Sequence, residues 1–378
     1  MRITCLLFLF CILGFAQNQP AQQNQPAQQT QNAPGGQKKP AQQTPIVSRE
    51  QRSRMFEIAK GYELKPMSKP DWAQREDEPL FRVAWFSDTH IGKAEQLPML
   101  KTAFRFAKEK KADFAIFTGD NVSYYDGNFK KMQPATKRKH AWFKAFLDAE
   151  LKMPYKVICG DNWYGGFIEC FGSRNFSFDA KGFHFVFTSL DARARRGEGC
   201  CKFDDATLDW IRDDLAVNAA KPTLFVLHET VWPPTFLDTP KVEGILKEQK
   251  NVLAALGGHL HLDLDLTHAG LRQIVCPSLG RSHRPGFKLM NFYADAIIIE
   301  SCELNEKENS FFMADKWQRI LVPERLKPAA SQKLNLKNTF EMAPVQARRD
   351  DELAERSKEI YNALLGFAFT MGLQSLIE

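Results

Sequence analysis

From Phe81 onward, short apolar runs rich in β-branched and aromatic residues alternate with stretches whose apolar positions recur at helical spacing. The pattern predicts strands at Arg82–Phe86, Asp113–Thr118 and Tyr155–Cys159, with helices at Leu97–Lys110 and Ala135–Ala149 between them. Asn175–Phe178 and Phe183–Ser189 read as a hairpin turning at Ala180-Lys181-Gly182. Asp204–Ala216 reads as a helix whose acidic first turn suits the N-terminal dipole. Further strands are predicted at Thr223–Leu227, Asn251–Leu256, Leu262–Thr267, Leu271–Cys276 and Ala294–Glu300. Early βαβα units followed by hairpins predict an α/β fold of mixed sheets with helices outside. Beyond Cys302 the pattern weakens to a strand at Phe311–Leu321, a polar loop at Leu326–Asn338 and a terminal helix at Asp350–Ile377. The apolar part of that helix covers only about 15 residues, short of a membrane span. Packing on the domain accounts for it, with a dimer or membrane-surface contact as the alternative.

Residues 1–16 have the layout of a signal peptide: Arg2, an apolar run from Ile3 to Phe15, and Gly14-Phe15-Ala16 at the cleavage point. The alternative is an uncleaved anchor helix. Residues 17–47 are almost entirely Gln, Pro, Ala and Asn, too poor in apolar side chains to offset the entropy of ordering, and read as a disordered tether. The folded domain is expected at 80–302, followed by a C-terminal extension at 303–378 ending in the helix. The expected location is exported, periplasmic or secreted, with no transmembrane span in the mature chain.

The net charge of +6 is spread along the chain with no basic stripe, so nothing specific to nucleic acid is indicated. Cys5 and Cys11 leave with the signal, and Cys159, Cys170, Cys200, Cys201, Cys276 and Cys302 remain. In an oxidising compartment Cys159 and Cys170 could close the loop carrying Asp161, while buried free thiols are the alternative. Vicinal Cys200-Cys201 lacks His or Cys partners at ligand spacing.

Five segments carry the chemistry: Asp88-Thr-His90, Gly119-Asp120-Asn121, Gly160-Asp161-Asn162-Trp163, His228-Glu-Thr and Gly258-His259-Leu-His261. Each follows an apolar run, which puts its polar side chains at strand ends, where α/β sheets bind ligands. The first and last each place two side chains one residue apart, on the same face of an extended strand end. Either pair alone is weak evidence. Together they offer the carboxylates of Asp88, Asp120 and Asp161 and the imidazoles of His90, His228, His259 and His261. That donor set suits two divalent cations acting on a phosphoester, whose own charge repels nucleophiles unless cations neutralise it.

In these motifs, residues 82–300 resemble the calcineurin-like metallophosphoesterases, whose pattern runs Asp-x-His, Gly-Asp, Gly-Asn-His-Asp/Glu, His and Gly-His-x-His. Ser189-Leu-Asp191 and the Asp204–Leu215 stretch with Trp210 also resemble the family's middle section. The resemblance implies a sandwich of two mixed β-sheets flanked by helices (αββα), here with a C-terminal helical extension. It assigns Asp88, His90 and His261 to a first ion and His228 and His259 to a second, with Asp120 bridging. The ions implied are Mn, Fe or Zn, and the substrate is a phosphorylated small molecule or a phosphodiester attacked by metal-activated hydroxide.

One motif departs from the family. Its asparagine ligand falls at Asp161 and its histidine proton donor at Asn162; a shift by one residue puts Trp163 in the histidine slot. A positioned general acid is typically worth about 10²–10⁴-fold. Asn162 therefore opens a second reading, a catalytically weak module that binds a phosphorylated ligand. His184, His268 or His283 could replace the acid, and His283, in Arg281-Ser-His283-Arg284, is favoured. Arg193, Arg195 and Arg281 could grip phosphate, although for Arg193 and Arg195, with Arg196, a solvated loop is the preferred reading. His140, in the basic run Lys137–His140, reads as part of a solvated helix face. A purple acid phosphatase is a third option suggested by Asp120 and Tyr124, but that class needs its tyrosine where this chain has Ser123 and lacks the equivalent of His90.

Overall fold

The computed structural model describes residues 63–92, 94–123, 129–162, 164–194, 201–231, 235–268, 270–328, 333–350 and 353. The expected signal peptide and tether lie outside the described residues, as does the expected terminal helix apart from Leu353 and Asp350, the latter ending a strand instead of opening the helix.

The first sheet contains β1 (Phe81–Phe86), β2 (Phe114–Phe117) and β3 (Tyr155–Val157), and later in the chain β12 (Gly286–Phe292), β13 (Ala296–Asn305) and β14 (Ser310–Leu321). Its order is β14-β13-β12-β1-β2-β3. The second contains β4 (Phe176–Ala180), β5 (Phe183–Phe187), β8 (Thr223–Val226), β9 (Val252–Gly257), β10 (Leu264–His268), β11 (Leu271–Val275) and β15 (Asn338–Glu341). Its order is β10-β11-β9-β8-β5-β4-β15. Both are mixed: β1–β2–β3 and β5–β8–β9–β11 pair in parallel, while β12 beside β1, and β4 and β10 at the two ends of the second run, pair antiparallel. A small third sheet joins β6 (Ala192–Ala194), β7 (Cys201–Lys202) and β16 (Arg348–Asp350).

The two-residue period of the strands builds the layers. Phe81, Val83 and Trp85 point into a core between the sheets, where they meet Phe183, Phe185 and Phe187. Ala84 and Phe86 face the other way, into a cluster with α1 (Leu97–Glu109), α2 (Phe129–Glu150) and the short α3 (Phe167–Phe171). Val186 and Phe225 face outward from the second sheet onto α4 (Asp205–Val217) and α5 (Thr239–Glu248). The order of layers is therefore αββα, as the family resemblance implies. The predicted hairpin is present, turning on Lys181 (φ 45°) and Gly182 (φ 87°), the two left-handed residues that a tight turn between twisted strands requires.

Two expectations need correction. The domain does not end at 302: β13 runs through that position, β14 edges the first sheet, β15 edges the second, and β16 completes the third. Nor does it begin at 80, since Leu64 N–H already donates to the Asp263 carbonyl. β12 was not predicted because Lys288 interrupts its apolar run. That lysine is nevertheless buried, held by Asp263, Ser301 and Gln318. α5 escaped because Gly244 lies inside it.

Candidate metal centre

Parallel strands of both sheets deliver their C-terminal ends to one edge of the sandwich. Asp88 follows β1, Asp120 follows β2 and Asp161 follows β3; His228 follows β8 and His259 follows β9. Backbone hydrogen bonds lock these loops together: Asp88 N–H to the Gly119 carbonyl, His90 N–H to the Asp120 carbonyl, and Gly258 N–H to the His228 carbonyl. Five of the seven candidate ligands, Asp88, His90, Asp120, His259 and His261, have φ between 44° and 65°. Left-handed backbone at non-glycine residues costs of order 1–3 kcal/mol each and gathers at functional sites. Glycines make room beneath them: a Cβ at Gly160 would collide with Asp120 Oδ1, and one at Gly258 with Ser87 Oγ and Asp88 Oδ2.

The seven side chains form two triads. Asp88, His90 and His261 bring ligand atoms within 4.8 Å of one another, and so do Asp161, His228 and His259. Asp120 stands between them. Its Oδ2 is 3.8 Å from His90 Nε2 and its Oδ1 is 3.8 Å from His228 Nε2, so one carboxylate faces both triads with different oxygens. This is the bridging position that the resemblance assigns to it.

Hydrogen bonds fix the imidazoles from behind. His228 Nδ1–H donates to the Thr118 carbonyl at 2.7 Å, which turns Nε2 inward as the nitrogen that would ligate an ion. That nitrogen is buried and without a hydrogen-bond partner. It lies 3.7, 3.8 and 3.7 Å from oxygens of Asp88, Asp120 and Asp161. These gaps are too long for hydrogen bonds, but two atoms that each ligate one ion at ~2.1 Å can stand up to ~4.2 Å apart. His90 Nδ1 is 3.2 Å from Ser123 Oγ, and its Nε2 is 3.1 Å from His261 Nε2.

The field is strongly anionic. Burial opposes a charge on His228, yet Asp88, Asp120, Glu229 and Asp161 outweigh it and raise the imidazole to about 10. Burial lowers His90 to about 4. Burial also raises the Glu229 carboxyl, which with Asp161 nearby reaches about 8 despite His228. Three buried carboxylates facing imidazole nitrogens, with His228 Nε2 and Asp161 Oδ2 left without a hydrogen-bond partner, form a donor set that fits divalent cations, whose binding displaces the proton from His228.

Residues 81–263 match the family model of the calcineurin-like phosphoesterases. The chain carries a calcineurin-like phosphoesterase domain. Among solved structures the chain is similar to a dimetal phosphatase from Danio rerio, at 15% identity and TM-score 0.52, covering 65% of this chain and 99% of that one. It also resembles GAP50, described as the anchor in the inner membrane complex of Plasmodium, at 14% identity and TM-score 0.43, covering 74% and 94%. At 15% identity the likeness to the dimetal phosphatase concerns the fold. Among curated proteins none matches the chain significantly. The family implies divalent metal ions, and the two triads are this domain's candidate ligands for them.

The remaining sequence candidates fall into place around this centre. Asp161 Oδ1 lies 3.7 Å from His228 Nε2 and 3.8 Å from His259 Nδ1, whereas Asn162 Oδ1 is taken by Arg193; with Asp161 as the ligand, Asn162 falls in the histidine slot. Asn162 Nδ2 donates to Asp120 Oδ2 at 2.8 Å and to Asp161 Oδ1 at 2.7 Å, while its Oδ1 accepts from Arg193 Nη1. Arg193 is buried and also donates to the Asp161 carbonyl. It is not a solvated loop residue; it anchors the loop that carries Asp161 and Asn162. Arg281 donates to Ser123 Oγ, behind His90. Arg195 lies outside the described residues.

His283 Nε2 sits 3.0 Å from Glu63 Oε2, and His283 is not a member of either triad. His268 pairs with Glu243 at 2.5 Å. His184 lies within the second sheet between Asp179 and Asp214. His140 is buried rather than solvated, with Nδ1 donating to the Gly165 carbonyl. Cys159, Cys170, Cys276 and Cys302 are free thiols, so the Cys159–Cys170 bridge is not formed. Sequence reasoning passed over Ser123, which backs His90, and Glu229, which hides beside a histidine of obvious interest. Residue type signalled neither; only burial without partners marks Glu229.

Proposed function

We propose that the protein is an exported, dinuclear metal-dependent phosphoesterase that hydrolyses a phosphomonoester or phosphodiester. The observation that carries this reading is Asp120, whose two oxygens face two complete Asp/His triads. Asp88, His90 and His261 would hold one cation, Asp161, His228 and His259 the other, and Asp120 both. Bound there, two divalent cations would neutralise phosphoryl oxygens and supply a nucleophile at neutral pH.

The chain's own residues shape the rest. Asn162 stands where the family has its proton-donating histidine, and a primary amide holds its protons too tightly to release one. Its amide is also fully engaged by Arg193, Asp120 and Asp161. Asn162 therefore orients the carboxylates and gives the leaving oxygen no proton. Departure then depends on the leaving group's own acidity, so aryl esters should react far faster than alkyl esters of similar size. Export is supported by the signal-like residues 1–16; among the described residues no helix is long and apolar enough to cross a membrane.

The same engagement of Asn162 favours a second reading, a metal-bearing module that binds a phosphorylated ligand with little turnover. Elemental analysis of the purified protein combined with hydrolysis of one activated monoester and one activated diester separates the two. Two ions with turnover support the enzyme; two ions without turnover of either ester support the binding module; no ions defeat both.

A further inference from the structure

Beside the two triads lies another cluster, which shares only Asp161 with them. Asp161, Cys201 and Glu229 bring a carboxylate oxygen, a thiol sulfur and a second carboxylate oxygen within 4.8 Å of one another, and all three residues are buried. They arrive from three places: the loop after β3, strand β7, and the loop after β8. Both carboxylate oxygens of Glu229 are buried without a hydrogen-bond partner, and so is Oδ2 of Asp161. Asp161 Oδ1 is the oxygen that takes the Asn162 amide and faces His228 and His259. Asp161 thus has one oxygen turned to the second triad and one left over.

Buried carboxylates are found paired with positive charge or ligating metal. Arg193, the cross-strand partner of Cys201, gives Nη1 to the Asp161 carbonyl and the Asn162 side chain, and the charge that acts on Glu229 is that of His228, itself a member of the second triad. The departure from the family pattern at position 161 gains a reason here. An asparagine offers one oxygen and can serve one ion; an aspartate offers two and can serve two. The donor set also states a preference. A thiolate is soft, so two carboxylates and a sulfur suit zinc-like ions over magnesium or calcium, with three protein ligands leaving a fourth position open.

We propose that Asp161, Glu229 and Cys201 form a third cation site, selective for zinc-like ions and coupled to the dinuclear centre through the shared Asp161 carboxylate. It depends on the two-ion reading only in that Asp161 serves both. Binding displaces the proton of the Cys201 thiol and that of the Glu229 carboxyl to solvent, so the bound state carries a metal–thiolate bond.

The test loads the full purified chain with Cd²⁺ or Co²⁺ in place of zinc, removes excess ion, and reads both ion count and the near-ultraviolet absorption that a thiolate ligand gives these metals. The wild type should hold three ions and show the thiolate band. Cys201→Ala should lose the band, and both Cys201→Ala and Glu229→Gln should hold two ions. Asp161→Asn should also hold two, since its remaining oxygen still serves the second triad. A wild-type count of two with no thiolate band overturns the third site and leaves the pair standing. A count of one with the band upholds the third site and overturns the pair. Retention of the third ion and the band in Cys201→Ala overturns the assignment outright. Because band and count are both read on the wild type, variants that fail to fold do not shield the proposal.

Discussion

Two buried clusters of histidine and aspartate lie in this fold, and they are built on opposite principles. In the second sheet, His184 is clamped between Asp179 Oδ1 and Asp214 Oδ2, each at 2.8 Å. Ser177 donates to the other Asp214 oxygen at 2.7 Å, and Lys221 to the other Asp179 oxygen at 2.6 Å. Every polar atom of that cluster's imidazole and carboxylates is taken. At the strand ends, His228 faces three carboxylate oxygens at 3.7–3.8 Å and bonds to none of them. The residue types are alike, and His184 and Asp214 are as buried as His228 and Asp88; satisfaction separates the clusters. A closed cluster holds the sheet together, whereas an open one keeps its lone pairs for something from outside.

That contrast breaks down if the two clusters respond alike to mutation. The largest expected effect is Asp120→Ala. It should lower kcat/KM by at least about 10³-fold, the several kcal/mol that bound cations contribute, and should abolish retention of both ions. His90→Ala should deplete mainly the first ion and His228→Ala mainly the second. Elemental analysis beside turnover checks each point, and an Asp120→Ala protein that still holds two ions would remove the bridge from the argument.

Next in size is His184→Ala. Removing the imidazole leaves two carboxylates facing the gap, and breaking such a buried pair costs about 3 kcal/mol or more. Urea unfolding should show that loss, while ion count and kcat stay close to wild type. If activity collapses with stability intact, His184 belongs to the chemistry after all.

The difference between the clusters also marks what could be read from residues alone. The triads were legible because their members follow apolar runs at spacings of two, and a strand end fixes which side chains share a face. The inner layers were legible for the same reason, through alternations such as Phe183, Phe185 and Phe187. What stayed hidden was long-range. Nothing in Phe183-His184-Phe185 announces Asp214 thirty residues on, so His184 stood beside His268 and His283 as a replacement acid. Arg193 looked solvated because its partners, Asp161 and Asn162, lie on another strand end. Lys288 concealed β12 because a lysine in a core needs Asp263, Ser301 and Gln318, which no local pattern supplies. The vicinal Cys200-Cys201 lacked ligands at local spacing, yet Asp161 and Glu229 reach Cys201 through the fold.

A smaller effect sharpens the open cluster from within. Asn162→His should return an imidazole to the side of the leaving oxygen and raise alkyl-ester turnover by about 10-fold, at the low end of what a general acid supplies. Aryl-ester turnover should change little, because a phenolate leaves without help. A steep dependence of rate on leaving-group acidity in the wild type, made shallower in Asn162→His, is the expected pair of results. If the wild type is already shallow and His283→Ala selectively slows alkyl esters, then His283 supplies the proton despite its contact with Glu63.

The smallest expected effect concerns the closed cluster and pH. Burial opposes a charge on His184, but its hydrogen bonds to Asp179 and Asp214 outweigh burial and raise the imidazole above its usual 6.5. Burial likewise opposes a charge on Asp179, yet His184 and Lys221 hold its carboxyl below the usual 3.8. Stability follows from which state binds more protons. For His184 the folded chain keeps its proton over a range where the unfolded chain has released it. Its contribution is therefore complete below about pH 6.5 and is lost as pH rises through the raised folded value. For Asp179 the contribution is present above the ordinary carboxylate value and is lost as pH falls through the lowered one. The cluster should stabilise the fold most in the mildly acidic range between these limits. Urea midpoints of wild type and His184→Asn, measured at mildly acidic and at alkaline pH, check the sign. The wild type's advantage should shrink on the alkaline side; an advantage that grows with pH would mean that His184 is neutral in the fold, and that its two carboxylates are held by Ser177 and Lys221 instead.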